Sequence, residues 1–413
     1  MRIAVIGSGI SGLASSWLLS REHDVTLFEA SDYLGGHTHT HDIDVGGRRH
    51  AVDTGFIVFN PVNYPLLSKL FAELAVETRP TTMSFAVRNE RSGLEYNATS
   101  LSGMFCQRRN LVSPRFLRML SDIRRFYRDA PALQRDAADG PTLGDYVAAQ
   151  GYSAAFRDDH LVPMASALWS MPAAQVLQFP MRYLVQFMAH HHMLEISGRP
   201  QWRVVKGGSQ TYVRALRRWP VRERVGCAVT GVRRDWDAVS IDSSAGTERF
   251  DQAVMACHSD QAMKLIGDAS ERERDVLGAI GYQANDTVLH TDPSVLPRRR
   301  KAWAAWNALV PQADSGACTV SYCMNLLQSL DAREPIVVSL NSTALIAPEK
   351  ILRRMRYHHP VYTHAAVRAQ KRKCEIQGVN RIWFAGAYWG WGFHEDGMRS
   401  AVDVAHGLGV RWP

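Results

Sequence analysis

Only six cysteines occur in the 413 residues (Cys106, Cys227, Cys257, Cys318, Cys323 and Cys374), and none forms a CxxC pair or a metal-type spacing. That scatter excludes a disulfide-stapled scaffold or a zinc ribbon and predicts free thiols. A secretory signal is also missing: Met1-Arg2-Ile3-Ala4-Val5-Ile6 runs directly into a strand-like pattern, so a cytoplasmic protein is expected. The longest uncharged run, Leu161 to Met181, holds Pro163, Pro172, Pro180, Gln175 and Gln178. It fails as a membrane span and reads as an irregular, apolar segment buried in protein. No internal repeat, long low-complexity linker or second GxGxxG is present, which leaves no separate NADPH site.

The chain does have an ordinary globular balance, 46% apolar and 21% charged, with length for two or three domains. Its net charge of +8 comes partly from local runs: Arg108-Arg109, Arg298-Arg299-Arg300-Lys301, Arg353-Arg354 with Arg356, and Lys371-Arg372-Lys373. Such runs are solvated surface or a means of attracting anionic lipid headgroups or an anionic substrate. Nucleic acid is not expected as a partner, since no binding module accompanies the charge. His37, His39, His41 and His50, and the run His190-His191-His192, lack companion cysteines or paired carboxylates, so no metal site is expected.

The informative pattern lies at the start. Arg2 to Ile6 is a short β-branched run, Gly7-Ser8-Gly9-Ile10-Ser11-Gly12 follows, and Leu13 to Leu19 continues at helical spacing. A tight turn at Gly7, close backbone approach at Gly9 and helix–strand contact at Gly12 suit a pyrophosphate at a helix N-terminus. A second apolar strand, Asp24 to Phe28, ends in Glu29, 20 residues after Gly9, where a carboxylate meets ribose hydroxyls and Ala30 follows. This predicts a dinucleotide site, common to FAD and NAD.

The choice between the two comes from Tyr33-Leu34-Gly35-Gly36-His37-Thr38, which resembles the Gly-Gly segment that meets the FAD phosphates in amine oxidase and phytoene desaturase-like flavoproteins; His37 stands where that group usually has Arg. Three further stretches resemble the same superfamily: Trp202 to Tyr212, Ala228 to Val232 with Val229 at the adenine, and Arg381 to Tyr388 followed by a small-residue helix from Gly397 to Gly407. Phrases such as Val52 to Asn60, Met83-Ser84-Phe85, Asn325 to Gln328, His359 to Tyr362 and Gly392 to Gly397 resemble a narrower group of bacterial predicted NAD/FAD-binding oxidoreductases. Relatives in that group often accompany cyclopropane-fatty-acid-synthase-like methyltransferases, an association that suggests lipid chemistry.

The resemblance implies an α/β fold, a Rossmann-like FAD-binding domain (residues 1–60, 195–275 and 375–413) interleaved with a mixed α+β substrate domain (61–194 and 276–374), flavin amine oxidase-like. By pattern the substrate domain has helices over Tyr64 to Leu74, Pro114 to Tyr127 and Leu143 to Gln150, and strands near Thr287 to His290, Cys318 to Cys323 and Pro335 to Leu340. The resemblance places Thr54, Gly55 and Phe56 beside the flavin ring, with Asp53 orienting their loop, and Gly386 near the ribityl chain. The last helix then faces the flavin with its positive end, near Phe393, His394, Glu395, Asp396 and Gly397.

His394, Glu395 and Tyr388 are the candidates for acid/base work, Asp396 for a helix cap, and Met83, Phe85, Trp389 and Trp391 for the substrate pocket. Many oxygen-using amine oxidases of this type carry a Lys near the flavin on a substrate-domain strand; the corresponding Asn285 to His290 has none. The expected activity is therefore hydride removal or redistribution on an apolar fatty-acyl or isoprenoid lipid, reached from the inner face of an anionic membrane. The alternatives are an amine oxidase releasing peroxide and a non-enzymatic flavin-binding redox or light sensor.

Overall fold

Ile3 to Ile6 are apolar without alternation, as a strand covered on both faces must be. In the computed structural model, which describes residues 1–135, 139–195, 197–313 and 316–413, they lie in β1 (Arg2–Ile6) at the middle of a five-stranded parallel sheet. Its order is Arg222–Arg224, β2 (Asp24–Phe28), β1, Gln252–Met255, Ile382–Phe384. Strands from the two ends and the middle of the chain therefore build one sheet. The first helix, α1 (Ile10–Leu19), is buried along its whole length between that sheet and the last helix, His394–Gly407. Trp17 anchors α1, meeting Trp219 and Trp412 edge to face at 5.8 and 5.4 Å.

A second, seven-stranded sheet runs Ile351–Val361, Gly281–His290, Val337–Leu340, Val320–Cys323, Trp306–Val310, Phe85–Asn89, Leu94–Asn97. All its pairs are antiparallel except Trp306–Val310 with Phe85–Asn89. Helices Pro114–Asp129, Leu143–Ala149, Val162–Trp169 and Met181–His190 gather around their own core of Phe126, Phe156, Leu161, Phe179 and Phe187.

The run from Leu161 to Met181 corrects the sequence reading. It is largely buried, apart from Ala173, Ala174, Gln175 and Gln178, but not irregular: it forms helices Val162–Trp169 and Ala173–Leu177 and enters a third at Met181. Two of its prolines stand at helix starts: Pro172 and Pro180 are N-caps, where a missing N–H costs nothing. Pro163 instead lies within one continuous helical run from Ala154 to Trp169, directly after the π-helical turn Arg157–Leu161. Ser170 closes the first of these helices in a left-handed conformation.

The packing of α1 on β1 depends on two glycines. Gly7 turns at φ +101°, and a Cβ on Gly12 would stand 1.8 Å from the Gly7 carbonyl oxygen. Gly12→Ala is expected to cost about 3 kcal/mol or more through overpacking and to yield protein with a lower unfolding temperature and little bound flavin. An unchanged melting temperature and flavin content would show that the contact is dispensable.

Candidate active site

Two helix N-termini converge on one cavity. At α1, the N-cap Gly9 offers no side-chain hydrogen bond and the first turn holds no acidic residue, so its free N–H groups face outward unneutralised. At the last helix, a Cβ on Gly397 would lie 2.6 Å from Ile10 Cγ2 and 2.9 Å from Ser11 Oγ, so the absence of a side chain there lets the two ends approach. Gly36 approaches from a third side, its Cβ direction 3.1 Å from the Cα of Gly9.

The cavity between them measures about 1430 Å³, beyond the usual span for one drug-sized ligand. Gly7, Ser8, Gly9, Ile10, Ser11, Glu29, Ala30, Gly36 and His37 line one end, with Cys227 and Val229 beside Glu29. The Glu29 carboxylate accepts from Ser8 N (2.9 Å), Ser8 Oγ (2.6 Å) and Ser31 N (2.8 Å), which fixes it at the end of β2. An uncapped helix start, a fixed carboxylate and three glycine approaches fit the pyrophosphate and ribose of FAD. Gly55, Phe56, Gly386, Tyr388, Phe393 and His394 line the middle, where the flavin ring would lie. Tyr388 OH in the middle and His37 Nε2 at the first end are buried without a hydrogen-bond partner among the described residues, as suits a wall that meets a polar ligand.

Several expected residues stand behind the wall, not in it. Gly12 and Gly397 hold the helices, and Gly35 donates its N–H to Ser8 O at 3.1 Å. Thr54 Oγ1 bonds Tyr357 OH (2.7 Å), and Thr38 Oγ1 bonds Tyr212 OH. Asp396 is not the N-cap: Phe393 is, and Asp396, three residues on, accepts the Phe393 N–H at 3.1 Å. Glu395 turns away from the cavity, its two oxygens each accepting at 3.0 Å from Leu66 N and Leu67 N at the start of helix Pro65–Glu73. Trp389 packs beside Tyr388 with its indole N–H donated to Phe384 O, outside the lining. Asp53 ties the supporting loops: it accepts from Thr40 Oγ1 (2.6 Å), Ser209 N and Oγ (both 2.8 Å) and Gln328 Nε2 (2.8 Å), and burial raises its carboxyl to about 6.

His394 keeps its place at the cavity. Its ring stacks on Phe56 at 3.7 Å, and its Nε2 lies 3.1 Å from both Thr38 Oγ1 and Tyr212 OH. Burial holds it well below the ordinary histidine range, hence neutral. Beyond the expected set, His258, Tyr282, Tyr357 and His359 join His37 in the lining, with His258 stacked on Tyr282 at 4.4 Å. Burial is the first cause of the low values of His37 (about 3), His258 (about 4) and His359 (about 3), and neighbouring histidines lower them further. Among the described residues no three His, Cys, Asp or Glu side chains are placed to hold a metal.

These lowered values give a pH dependence. The neutral rings stabilise the fold above pH 6.5, where the unfolded chain is also unprotonated, and that contribution is lost as pH falls from 6.5 toward 4. The unfolding temperature should therefore fall by several degrees from pH 7 to pH 5, and His359→Gln should shallow that slope. Equal slopes in both proteins would disprove the assignment.

Comparison with known proteins places this geometry. Residues 10–306 match the family described as flavin containing amine oxidoreductase. Over 42 residues the chain is 57% identical to tryptophan 2-monooxygenase of Allorhizobium ampelinum, a stretch covering 10% of this chain and 6% of that protein. A putrescine oxidase variant superposes with a TM-score of 0.72 at 13% identity over 100% of both chains. Cyclohexylamine oxidase from Brevibacterium oxydans IH-35A gives 0.69 at 16% over 99% of both, and a CLA-producing fatty acid isomerase from P. acnes 0.69 at 15% over 98% of both. These structural likenesses establish the fold. With the family match across most of its length, the chain belongs to the flavin containing amine oxidoreductases and is an FAD-dependent oxidoreductase.

Proposed function

We propose that the enzyme removes or redistributes hydride on an apolar acyl or isoprenoid lipid. The reading rests on what lines the cavity beyond Phe56 and His394. That arm runs between the seven-stranded sheet and the helices, past Met83, Phe85, Leu120, Ile123, Met164 and Trp169. Among the described residues it contains no carboxylate and no lysine; the only such groups in the whole lining, Glu29 and Lys264, belong to the FAD end. A diamine would bury its cations there without a counter-charge, which is costly, whereas a hydrocarbon chain loses nothing. Arg124 and Arg199, both exposed, stand at the arm and suit an anionic head group.

FAD, when bound, supplies the hydride acceptor. The chain's own residues position and desolvate the substrate. Trp391 and Phe187, their rings 5.8 Å apart, wall the arm beside the place where the flavin would lie, and Trp169 fixes Trp391 by donating its indole N–H to the Trp391 carbonyl at 3.0 Å. His394, neutral and facing the cavity, is the proposed proton-holding group, and Tyr388, whose hydroxyl burial keeps protonated, is a donor beside Gly386. Aromatic crowding at Trp391, Phe187, His191 and Phe393 favours a second reading, oxidation of a neutral monoamine.

Anaerobic mixing with long-chain acyl lipids should bleach the oxidised flavin absorbance, while polyamines leave it unchanged. Met164→Trp, which fills the arm, should slow bleaching at least tenfold without changing flavin content. Bleaching by amines, with peroxide released in air, would replace this reading by the second.

A further inference from the structure

Among the described residues, the large exposed apolar side chains are not evenly spread: Leu101, Leu111, Val112 and Leu117, exposed by 45 to 79%, fall within one short stretch. It comprises helix Leu101–Met104, the turn Arg108–Leu111 and the start of helix Pro114–Asp129. From Tyr96 to Ser121 this stretch contains no acidic residue but four arginines: Arg108 and Arg109, and Arg115 and Arg118, which pair with Asp159 and Asp122 from outside the stretch. The turn Arg300–Ala302 packs against helix Leu101–Met104 and brings Arg298, Arg299, Arg300 and Lys301, all exposed, to the same side. Its backbone is pinned there, since the buried Glu95 carboxylate accepts from Arg298 N (3.0 Å) and Arg299 N (3.1 Å) and leaves their side chains outside.

The same elements line the arm from within. Met104 lies one helical turn beyond Leu101, and Leu120 one turn beyond Leu117, with Ile123 and Arg124 following on the cavity side. Exposed apolar side chains beside the cations Arg108, Arg109 and Arg298 to Lys301, on the outer surface of the walls of an apolar cavity, match the interface of an anionic bilayer, whose acyl chains accept leucine and valine and whose phosphates attract arginine. Among the described residues no helix is long and apolar enough to cross a membrane, so this contact is peripheral.

We propose that residues 101–118 together with the 298–301 turn dock the enzyme on an anionic lipid surface, so that an acyl chain passes from the bilayer into the arm. Only the passage of substrate rests on the acyl-lipid reading; the docking stands separately.

The test uses the FAD-loaded protein with vesicles of phosphatidylcholine, alone or mixed with phosphatidylglycerol. Wild type should co-sediment with the mixed vesicles and not with the neutral ones, and salt should release it. Two variants, Leu111→Ser/Val112→Ser/Leu117→Ser and Arg298→Gln/Arg299→Gln/Arg300→Gln/Lys301→Gln, should each bind at least tenfold more weakly while keeping the flavin spectrum that reports folding. Equal binding by all three proteins, or none by wild type, overturns the proposal. So does a dimer in solution that the first variant splits without changing vesicle binding, because the apolar face then covers a second copy. Failure of acyl lipids to bleach the flavin would sink the substrate reading and leave the vesicle result intact.

Discussion

The architecture hangs on places where a side chain is missing. Gly12 against the Gly7 carbonyl sets the depth of α1 on the central strand, and Gly397 against Ile10 and Ser11 brings the last helix to the same point. The first contact is backbone against backbone and the second sets a glycine against the Ile10 and Ser11 side chains; neither leaves room for a methyl group as it stands. Together they aim two helix N-termini, from opposite ends of the chain, into one cleft. The five-stranded sheet, whose strands come from three separate stretches of sequence, holds that convergence.

The FAD end was legible because its chemistry is local. Glycines at fixed offsets, a strand on each side and a carboxylate after the second strand occupy fewer than thirty consecutive residues, and β1, α1 and β2 fall where that pattern puts them. Helices Pro65–Glu73, Pro114–Asp129 and Leu143–Ala149 also lie within two residues of their periodic pattern. The run from Leu161 to Met181 was misread because proline breaks most helix interiors and initiates at helix starts; sequence alone does not say that Pro172 and Pro180 are starts, or that Pro163 follows a π-helical turn inside a helix.

The arm of the cavity was hardly legible. Leu120, Ile123, Met164 and Phe187 share the helical apolar spacing of true core residues, and only tertiary packing separates a residue facing a cavity from one facing a neighbour. Glu395 illustrates the reverse difficulty. Its position beside His394 suggested chemistry, yet its carboxylate caps a helix more than three hundred residues earlier in the chain. His258 carries no motif of its own and the phrase His359 to Tyr362 assigns no role to its histidine; the two come to the cavity from the ends of different sheets, His258 after Gln252–Met255 and His359 within Ile351–Val361.

Charge is distributed with the same economy. Among the described residues the only carboxylate and lysine of the cavity lining, Glu29 and Lys264, lie at the cofactor end, the imidazoles of His37 and His394 are neutral, and Arg124 and Arg199 stand exposed at the arm. The most direct test of this division is a crystal structure of the FAD-loaded enzyme grown with a long-chain fatty acid. The account predicts a continuous acyl chain from the Trp391 and His394 wall to the Leu120–Arg124 segment, with its carboxylate at Arg124 or Arg199. An arm that stays free of the acyl chain, or a short amine held at Trp391 in its place, would contradict it.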